Sequence, residues 1–591
     1  MASHILFLIS ALCIFSVSAD VSIDCGSSDI YTDENIIIWT GDNDFMQNGE
    51  SMVVQSSNSI SHVMDTLRVF TTRKKNCYSV PYSGKGERVL VRASFNYGNY
   101  DKKSAPPTFD LQLDGNRWVT VETSSTGYVY YEAIYVPKGD DVSACVAQTK
   151  PGQFPFMSAL EVRSLASDMY GHVDQSYPLF MITRVAYGAN ETVRFADDRY
   201  DRLWTPATGG DGLTALATDA FFIETDGVLD HPPSAVLQNA IAAVTPTGEI
   251  HLLTGLPTAQ VPVYMNMYFS EVTQLDTTDT RSFQVLVNGA PLFDIPILPP
   301  YANCKEMYIS NLTASSDTTF ALVPTSDSTL PPLINAMEVY SIGDVLTDGT
   351  HTKDVEGLAS LRDAFAVLQD WTSDPCLPAP YSWDWINCTS DSTPRVTALY
   401  LSSFDLSGEL PDFSSMDALV TIDFHNNSLD GGIPDFLATF PNLKQFVSGN
   451  PDLCASGSSS CTTTTTSSLP GLPSGNNPGD GVGSPAGSRN KKKKSNLPVI
   501  LGTSIPIPIS ISTFLLFFIR WYRKRKNAAV ATYTAGQHGG NRPQASPIGK
   551  MGEAIMNEIK TTVEDQIIGD VEGQVISNVE QADQTNVQPN N

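Results

Sequence analysis

Positive charge is scarce: the chain carries 36 Lys and Arg against 64 Asp and Glu, a formal net charge of −28. Such a surface repels phosphates, which excludes nucleic acid as a partner, and it disfavours anionic lipid except where cations cluster locally. Catalytic signatures are missing as well. There is no His-Glu-x-x-His and no Gly-x-Ser-x-Gly, and the eight histidines are scattered. Abundant carboxylates alone do not define a glycosidase, because its paired acids are set by spatial separation. We therefore expect no enzyme, no cofactor and no metal site. Long stretches of helical period are absent from 20–345, and cysteine is absent after Cys461.

Charge is missing altogether from 497–519, a run of 23 residues. A bilayer core takes roughly 20 apolar residues in a helix, so this run reads as one transmembrane helix, kinked where Pro506 and Pro508 remove hydrogen bonds. Basic residues flank both ends and leave its orientation open. Residues 1–19 supply it: an apolar stretch ending in Val17-Ser18-Ala19 reads as a cleaved secretory signal, although its first residues hold no Lys or Arg. The expected topology is a single-pass type I protein of the plasma membrane, with 20–496 outside and 520–591 in the cytoplasm. Eight of nine cysteines lie between signal and span, as an oxidising compartment would produce. Four N-glycosylation sequons fall there too, at Asn190, Asn311, Asn387 and Asn426.

Between 20 and 345, short alternating runs rich in Val, Thr, Tyr and Phe are broken by Gly, Pro, Asn and Asp. Runs such as Arg88-Val-Leu-Val-Arg-Ala-Ser-Phe95 read as half-buried antiparallel strands of a β-sandwich or jelly roll. The region also repeats itself. Phe109-Asp-Leu-Gln-Leu-Asp-Gly115 is echoed by Phe283-Gln-Val-Leu-Val-Asn-Gly289, and Phe95 by Phe269, both 174 residues on. Pro155-Phe-Met-Ser-Ala-Leu-Glu-Val162 is echoed by Pro332-Leu-Ile-Asn-Ala-Met-Glu-Val339 after 177. Three echoes in one order predict two tandem copies, about 20–168 and 169–345.

Ile23-Asp-Cys-Gly26, Leu67-Arg-Val-Phe70 with Cys77-Tyr78, Phe95-Asn-Tyr-Gly-Asn-Tyr-Asp101 and Phe156-Met-Ser-Ala-Leu-Glu-Val162 resemble the malectin-like ectodomain of plant receptor-like kinases. The resemblance implies two jelly rolls side by side, related to an animal lectin that binds diglucose; plant members bind carbohydrate or peptide. Aromatic faces and carboxylates are what read a sugar. On that ground Tyr97, Tyr100 and Asp101, in a Gly-containing turn between strands, are the candidate ligand-binding residues. The competing reading is that Tyr97 and Tyr100 plug the end of the sandwich.

After the copies, 354–371 places Leu358, Leu361, Phe365 and Leu368 on one face of a helix. With Ser373-Asp-Pro-Cys376 and Trp383-Asp-Trp-Ile-Asn-Cys388 it resembles the N-terminal cap of plant leucine-rich repeats (346–395). Family members usually have Gly where this chain has Ser373. Repeats starting at 396, 419 and 443 recur at 23–24 residues and predict a short solenoid over 396–461. The resemblance pairs Cys376 with Cys388, and Cys454 with Cys461 at the far end. Cys25, Cys77, Cys145 and Cys304 admit three pairings. A Ser/Thr/Gly/Pro-rich stretch over 462–496 reads as a disordered stalk. In the tail, apolar residues recur every fourth position from Met551 to Val579, a stripe that drifts ~40° per step; it reads as mostly disordered, or as a short helix that orders on a partner. Residues 520–591 contain none of the kinase motifs, so the chain resembles the kinase-less, receptor-like-protein branch. The expected function is a receptor-like protein that binds cell-wall carbohydrate or a secreted peptide outside and signals through a co-receptor kinase. The alternative is a tether between cell wall and membrane that does not signal.

Overall fold

The computed structural model describes residues 20–440 and 443–454. The expected signal, Cys461, stalk, membrane span and tail lie outside the described residues. Among those described, no helix is long and apolar enough to cross a membrane.

The β-rich region folds as two copies of one plan. In the first copy an inner sheet runs Val21–Asp24, Ala159–Ser164, Val89–Phe95, Val129–Tyr135; in the second it runs Leu179–Tyr187, Ala336–Ile342, Val261–Phe269, Lys305–Ala314. The outer sheet of the first copy runs Lys75–Pro81, Asp141–Gln148, Thr108–Leu113, Asn116–Glu122. Its counterpart runs Ile250–His251, Phe320–Pro324, Phe283–Val287, Ala290–Pro291. A three-stranded sheet completes each copy. The repeated phenylalanines do the same work twice: Phe95 meets Phe109 edge to face at 5.5 Å, and Phe269 meets Phe283 edge to face at 5.5 Å. Each ring is fully buried, worth roughly 1.5–3 kcal/mol by area. The hairpin turns match as well. Asp114-Gly115 and Asn288-Gly289 all have positive φ, the geometry that a two-residue turn between twisted strands demands.

The copies join edge to edge. Ala133 pairs with Phe180 and Ile134 with Leu179, so the two inner sheets form one continuous sheet of eleven strands. That joint corrects the expectation of half-buried strands. Val89–Phe95 is buried along its whole length, because residues of the 165–204 stretch, among them Leu165, Met169, Tyr170 and Tyr200, pack with Leu90 on the face away from the sandwich core. Arg92, at the centre of the strand, is buried there and paired three ways: Glu132 at 2.9 Å, Glu161 at 3.1 Å and Asp201 at 3.4 Å. Arg184 of the second copy reaches Glu132 of the first at 2.6 Å and Glu338 of its own at 2.7 Å. Burial pushes the Asp201 carboxyl up, yet the Arg92, Arg194 and Arg163 guanidiniums hold it well below the usual carboxylate range.

The helix after the copies spans Thr352–Ala364, shorter than expected, and a separate 3₁₀ turn follows at Ala366–Leu368. A straight helix advances 100° per residue and would carry Trp371 about 140° away from Leu358. The break at Phe365 instead lets Leu358, Leu361, Phe365, Leu368 and Trp371 all enter one apolar cluster. From 396 onward, Val396–Tyr400, Thr421–Asp423 and Lys444–Phe446 stack in parallel. On the other side Ser407–Glu409, Ser428–Gly432 and Asp452–Cys454 stack likewise. Asn427 and Asn450 bridge successive turns by donating to the Leu401 and Phe424 carbonyls.

Candidate functional site

The turn that carries Tyr97, Tyr100 and Asp101 closes on itself. Tyr97 is 0 % exposed; its hydroxyl donates to Asp101 Oδ1 at 2.5 Å and accepts the Ala105 N–H at 3.1 Å. Tyr100 packs edge to face on both Tyr97 (5.6 Å) and Phe156 (5.8 Å). Asp101 Oδ1 also takes the Lys103 N–H. The Tyr97 ring is sealed inside the turn, while Tyr100 and Asp101 keep part of their surface exposed. The packing of Tyr97 accords with the plug reading, while Tyr100 and Asp101 remain candidate ligand-binding residues.

Cys77 and Cys145 form a cross-strand disulfide in the outer sheet of the first copy, and Cys376 and Cys388 form another in the cap. Cys454 is also disulfide-bonded, while Cys461, the partner expected for it, lies outside the described residues. Cys25 and Cys304 are free, contrary to what an even count suggested. They sit in separate apolar clusters, one per copy, and burial pushes both thiols up. The four sequon asparagines, Asn190, Asn311, Asn387 and Asn426, are all exposed.

What sequence reasoning missed is a junction. An isolated outer sheet presents alternate residues to solvent, but the cap covers that face of the first copy. Lys75 is buried there and donates to the Asp374 and Leu377 carbonyls at 2.8 and 2.9 Å. Burial lowers its ammonium to about 8. The Arg73 guanidinium lies 4.1 Å from the Trp371 ring centre, and Thr372 Oγ1 donates to the Cys77 carbonyl. Lys138 holds the linker through the Leu346 and Thr347 carbonyls and the Asp348 carboxylate. Asp374 organises the cap side: its carboxylate accepts from the Thr350 N–H and hydroxyl and from the Cys376 and Leu377 N–H groups. The available signal was the run of cations Arg73-Lys-Lys75 leading into a strand of an otherwise acidic chain, set against the Asp374 motif.

Two polar cavities flank the docked cap. One, of about 380 Å³, lies between Asp114, Lys138, Asp141, Arg362 and Ser373. Burial raises the Asp114 carboxyl to about 7, although Tyr135 Oη donates to it at 2.7 Å. The other, of about 520 Å³, lies between the Thr108–Leu113 hairpin and residues 378–381. Both fall within the size range of small-ligand sites. Both lie at the junction of the two modules, lined by polar and apolar surface in similar measure.

Two β-sandwiches joined edge to edge, with a cap docked on the first, define the architecture. The malectin-like domain family matches residues 23–342, more than half of the chain, and the chain belongs to that family. Among curated relatives, a probable LRR receptor-like serine/threonine-protein kinase of Arabidopsis thaliana is 32% identical over 420 residues, covering 69% of this chain and 48% of that one. An uncharacterised protein of the same plant is 35% identical over 354 residues, covering 59% of this chain and 70% of that one. The chain thus spans about half the length of the kinase relatives, and these match through the ectodomain region. The ANX2 ectodomain crystal structure from Arabidopsis thaliana covers 55% of this chain and 97% of its own at 16% identity and a TM-score of 0.49.

Proposed function

We propose that this chain is a single-pass receptor-like protein of the plasma membrane whose ectodomain binds an extracellular carbohydrate or peptide and signals through a partner kinase. Its supporting observation is membership of a family whose relatives include receptor-like kinases. In this reading 1–19 directs secretion, 346–395 caps leucine-rich repeats over 396–461, 462–496 is a stalk and 497–519 anchors the chain. Glycans on Asn190, Asn311, Asn387 and Asn426 coat exposed faces, and a Cys454–Cys461 bridge closes the repeats. The tail, 520–591, meets the kinase partner.

The test is a deletion of 527–591 in cells that carry the full chain. Surface display is expected to persist while co-purification of a kinase and ligand-triggered phosphorylation are lost. Unchanged phosphorylation would overturn coupling through the tail. Retention in the cell wall with no phosphorylation in either form would favour the tether instead.

A further inference from the structure

We infer that an N-linked glycan on Asn311 guards the free edge of the eleven-stranded sheet and keeps it from pairing with a second copy of the chain. The inference rests on the secreted, receptor-like reading and gives one of its glycans a task.

The observation that carries it is a comparison of the two copies at one edge. In the first copy the inner sheet ends on Val129–Tyr135, and that strand makes the joint: Ile134 faces Leu90 of its own sheet and Leu179 of the next. The second copy ends on the corresponding strand, Lys305–Ala314. It pairs with Val261–Phe269 on one side and, among the described residues, with no strand on the other. Tyr264 stands 174 residues after Leu90, the offset of the echoes. Between the pairs Val263–Leu312 and Met265–Ile309 the strand bulges, so Ser310 and Asn311 together face Tyr264. The sequon asparagine thus occupies the place that makes the joint in the first copy, where 129–137 holds no asparagine.

An edge that has paired once can pair again. Its row of free backbone donors and acceptors is a template for another strand, and natural sheets blunt such edges with charge, proline, brevity or a bulge. A second copy brings the same edge, so antiparallel pairing about a twofold axis would satisfy both at once. Lys305–Ala314 has ten residues, the longest strand described, and Met307 to Ala314 carries neither charge nor proline. Of the usual devices it has the bulge. The other end of the sheet is managed differently, closing on Ile30–Thr32, three residues between Asp29 and Asp33. What the long edge has instead is the sequon. Asn311 is exposed and lines an open groove of about 530 Å³ beside the edge, walled by Leu292, Phe293, Met307 and Tyr308. A branched, hydrated glycan tethered there fills the space that a pairing strand needs. A second sequon asparagine, Asn387, lies on Ile386–Cys388, which also ends its sheet.

The experiment co-expresses two differently tagged full-length chains in a glycosylating eukaryotic cell. Glycopeptide mass spectrometry maps occupancy of the four sequons, and pull-down measures how much of one tag co-purifies with the other. Asn311→Gln and Thr313→Ala each remove the sequon, and co-purification is expected to rise roughly tenfold or more above wild type. Thr313→Lys removes it too but places a charge on the edge, and is expected to stay at the wild-type level. Both positions are exposed, so all three variants are expected to melt with the wild type. Unchanged co-purification in Asn311→Gln and Thr313→Ala overturns the inference. So does an equal rise in Thr313→Lys, because association would then run through another surface. A bare Asn311 beside glycans on Asn190, Asn387 and Asn426 overturns it as well, and leaves the receptor-like reading intact. A chain without glycan at any sequon would overturn the secreted reading, and the inference with it.

Discussion

The two copies share sheets, turn types and an aromatic pair at the same separation, yet they differ in what covers them. In the first copy the outer sheet is roofed by the cap; in the second, Gln284, Leu286 and Val287 of the outer sheet stay partly exposed. Charge follows the same division. Residues 20–168 hold 19 acidic and 13 basic side chains, a net −6, and residues 169–345 hold 20 and 6, a net −14. The cap segment 346–395 holds 8 and 3, a net −5. An acidic cap on an acidic sheet is repelled overall, and only local cations reverse this. Arg73, Lys75 and Lys138 provide them, and residues 250, 251 and 320–324 of the second copy's outer sheet hold no Lys or Arg. Duplication thus supplied two equal scaffolds, and a few cations decided which would carry the neighbouring module.

The strongest way to break the pair is at the shared sheet. Arg184→Met would strip Glu132 of one partner and Glu338 of its guanidinium in a site closed to water. Leaving buried carboxylates uncompensated costs about 3–5 kcal/mol, which corresponds to a fall in Tm of roughly 10 °C. Calorimetry is expected to show the single transition splitting, the first copy then melting apart from the second. A variant with one unshifted transition would mean that the joint is held by the apolar contacts around Tyr170 and Leu179 alone.

Asp374→Ala would separate the copies in another way, by uncovering the first. Four donors lose their acceptor, at about 1 kcal/mol each when they can turn to water. Hydrogen exchange should speed up in Lys75–Pro81 and Asp141–Gln148 and stay unchanged in Phe320–Pro324. Equal change in both outer sheets would show that the cap braces the whole ectodomain instead of one face.

How far these differences could be read from sequence depends on the range of the interaction. The echo of Phe109 and Phe283 was legible because inward alternation and an Asp-Gly or Asn-Gly turn are local properties. The repeat period at 396, 419 and 443 was legible for the same reason. Arg92 and Gln112 were not. Each sits on the outward beat of an alternating strand, where a polar residue is ordinary, and only the later arrival of 165–204 or 378–381 buries it. Tyr97 shows the converse: a tyrosine in a turn looks available until the turn folds back, and Gly98, at φ +46°, lets it do so.

The hairpin turns offer a sharper comparison. Asp114 and Asn288 occupy the same position, and only Asp114 titrates. Its carboxyl is raised from 3.8 to about 7, chiefly by burial. The folded chain therefore keeps a proton that the unfolded chain releases, so stability falls as pH rises from about 4 to about 7. Asp114→Asn gives the first copy the residue of the second and should flatten that part of the Tm–pH curve. An unaltered slope would assign the dependence elsewhere.

The smallest expected effect lies at Ser373, where the resembled cap motif usually has Gly. Its φ is +67°, in the left-handed region where a Cβ crowds the following carbonyl. Its hydroxyl is also buried without a partner. Ser373→Gly removes both penalties but gives the unfolded chain more freedom, which offsets part of the gain. The net result should be about 1 kcal/mol of added stability, a rise in Tm of about 2–4 °C. It should appear together with slower exchange in the outer sheet of the first copy and none in the second, because the strain sits in the segment that roofs only one of them. A loss of stability would show that the serine hydroxyl holds the cap in place, and the departure from glycine would then be a feature of the junction.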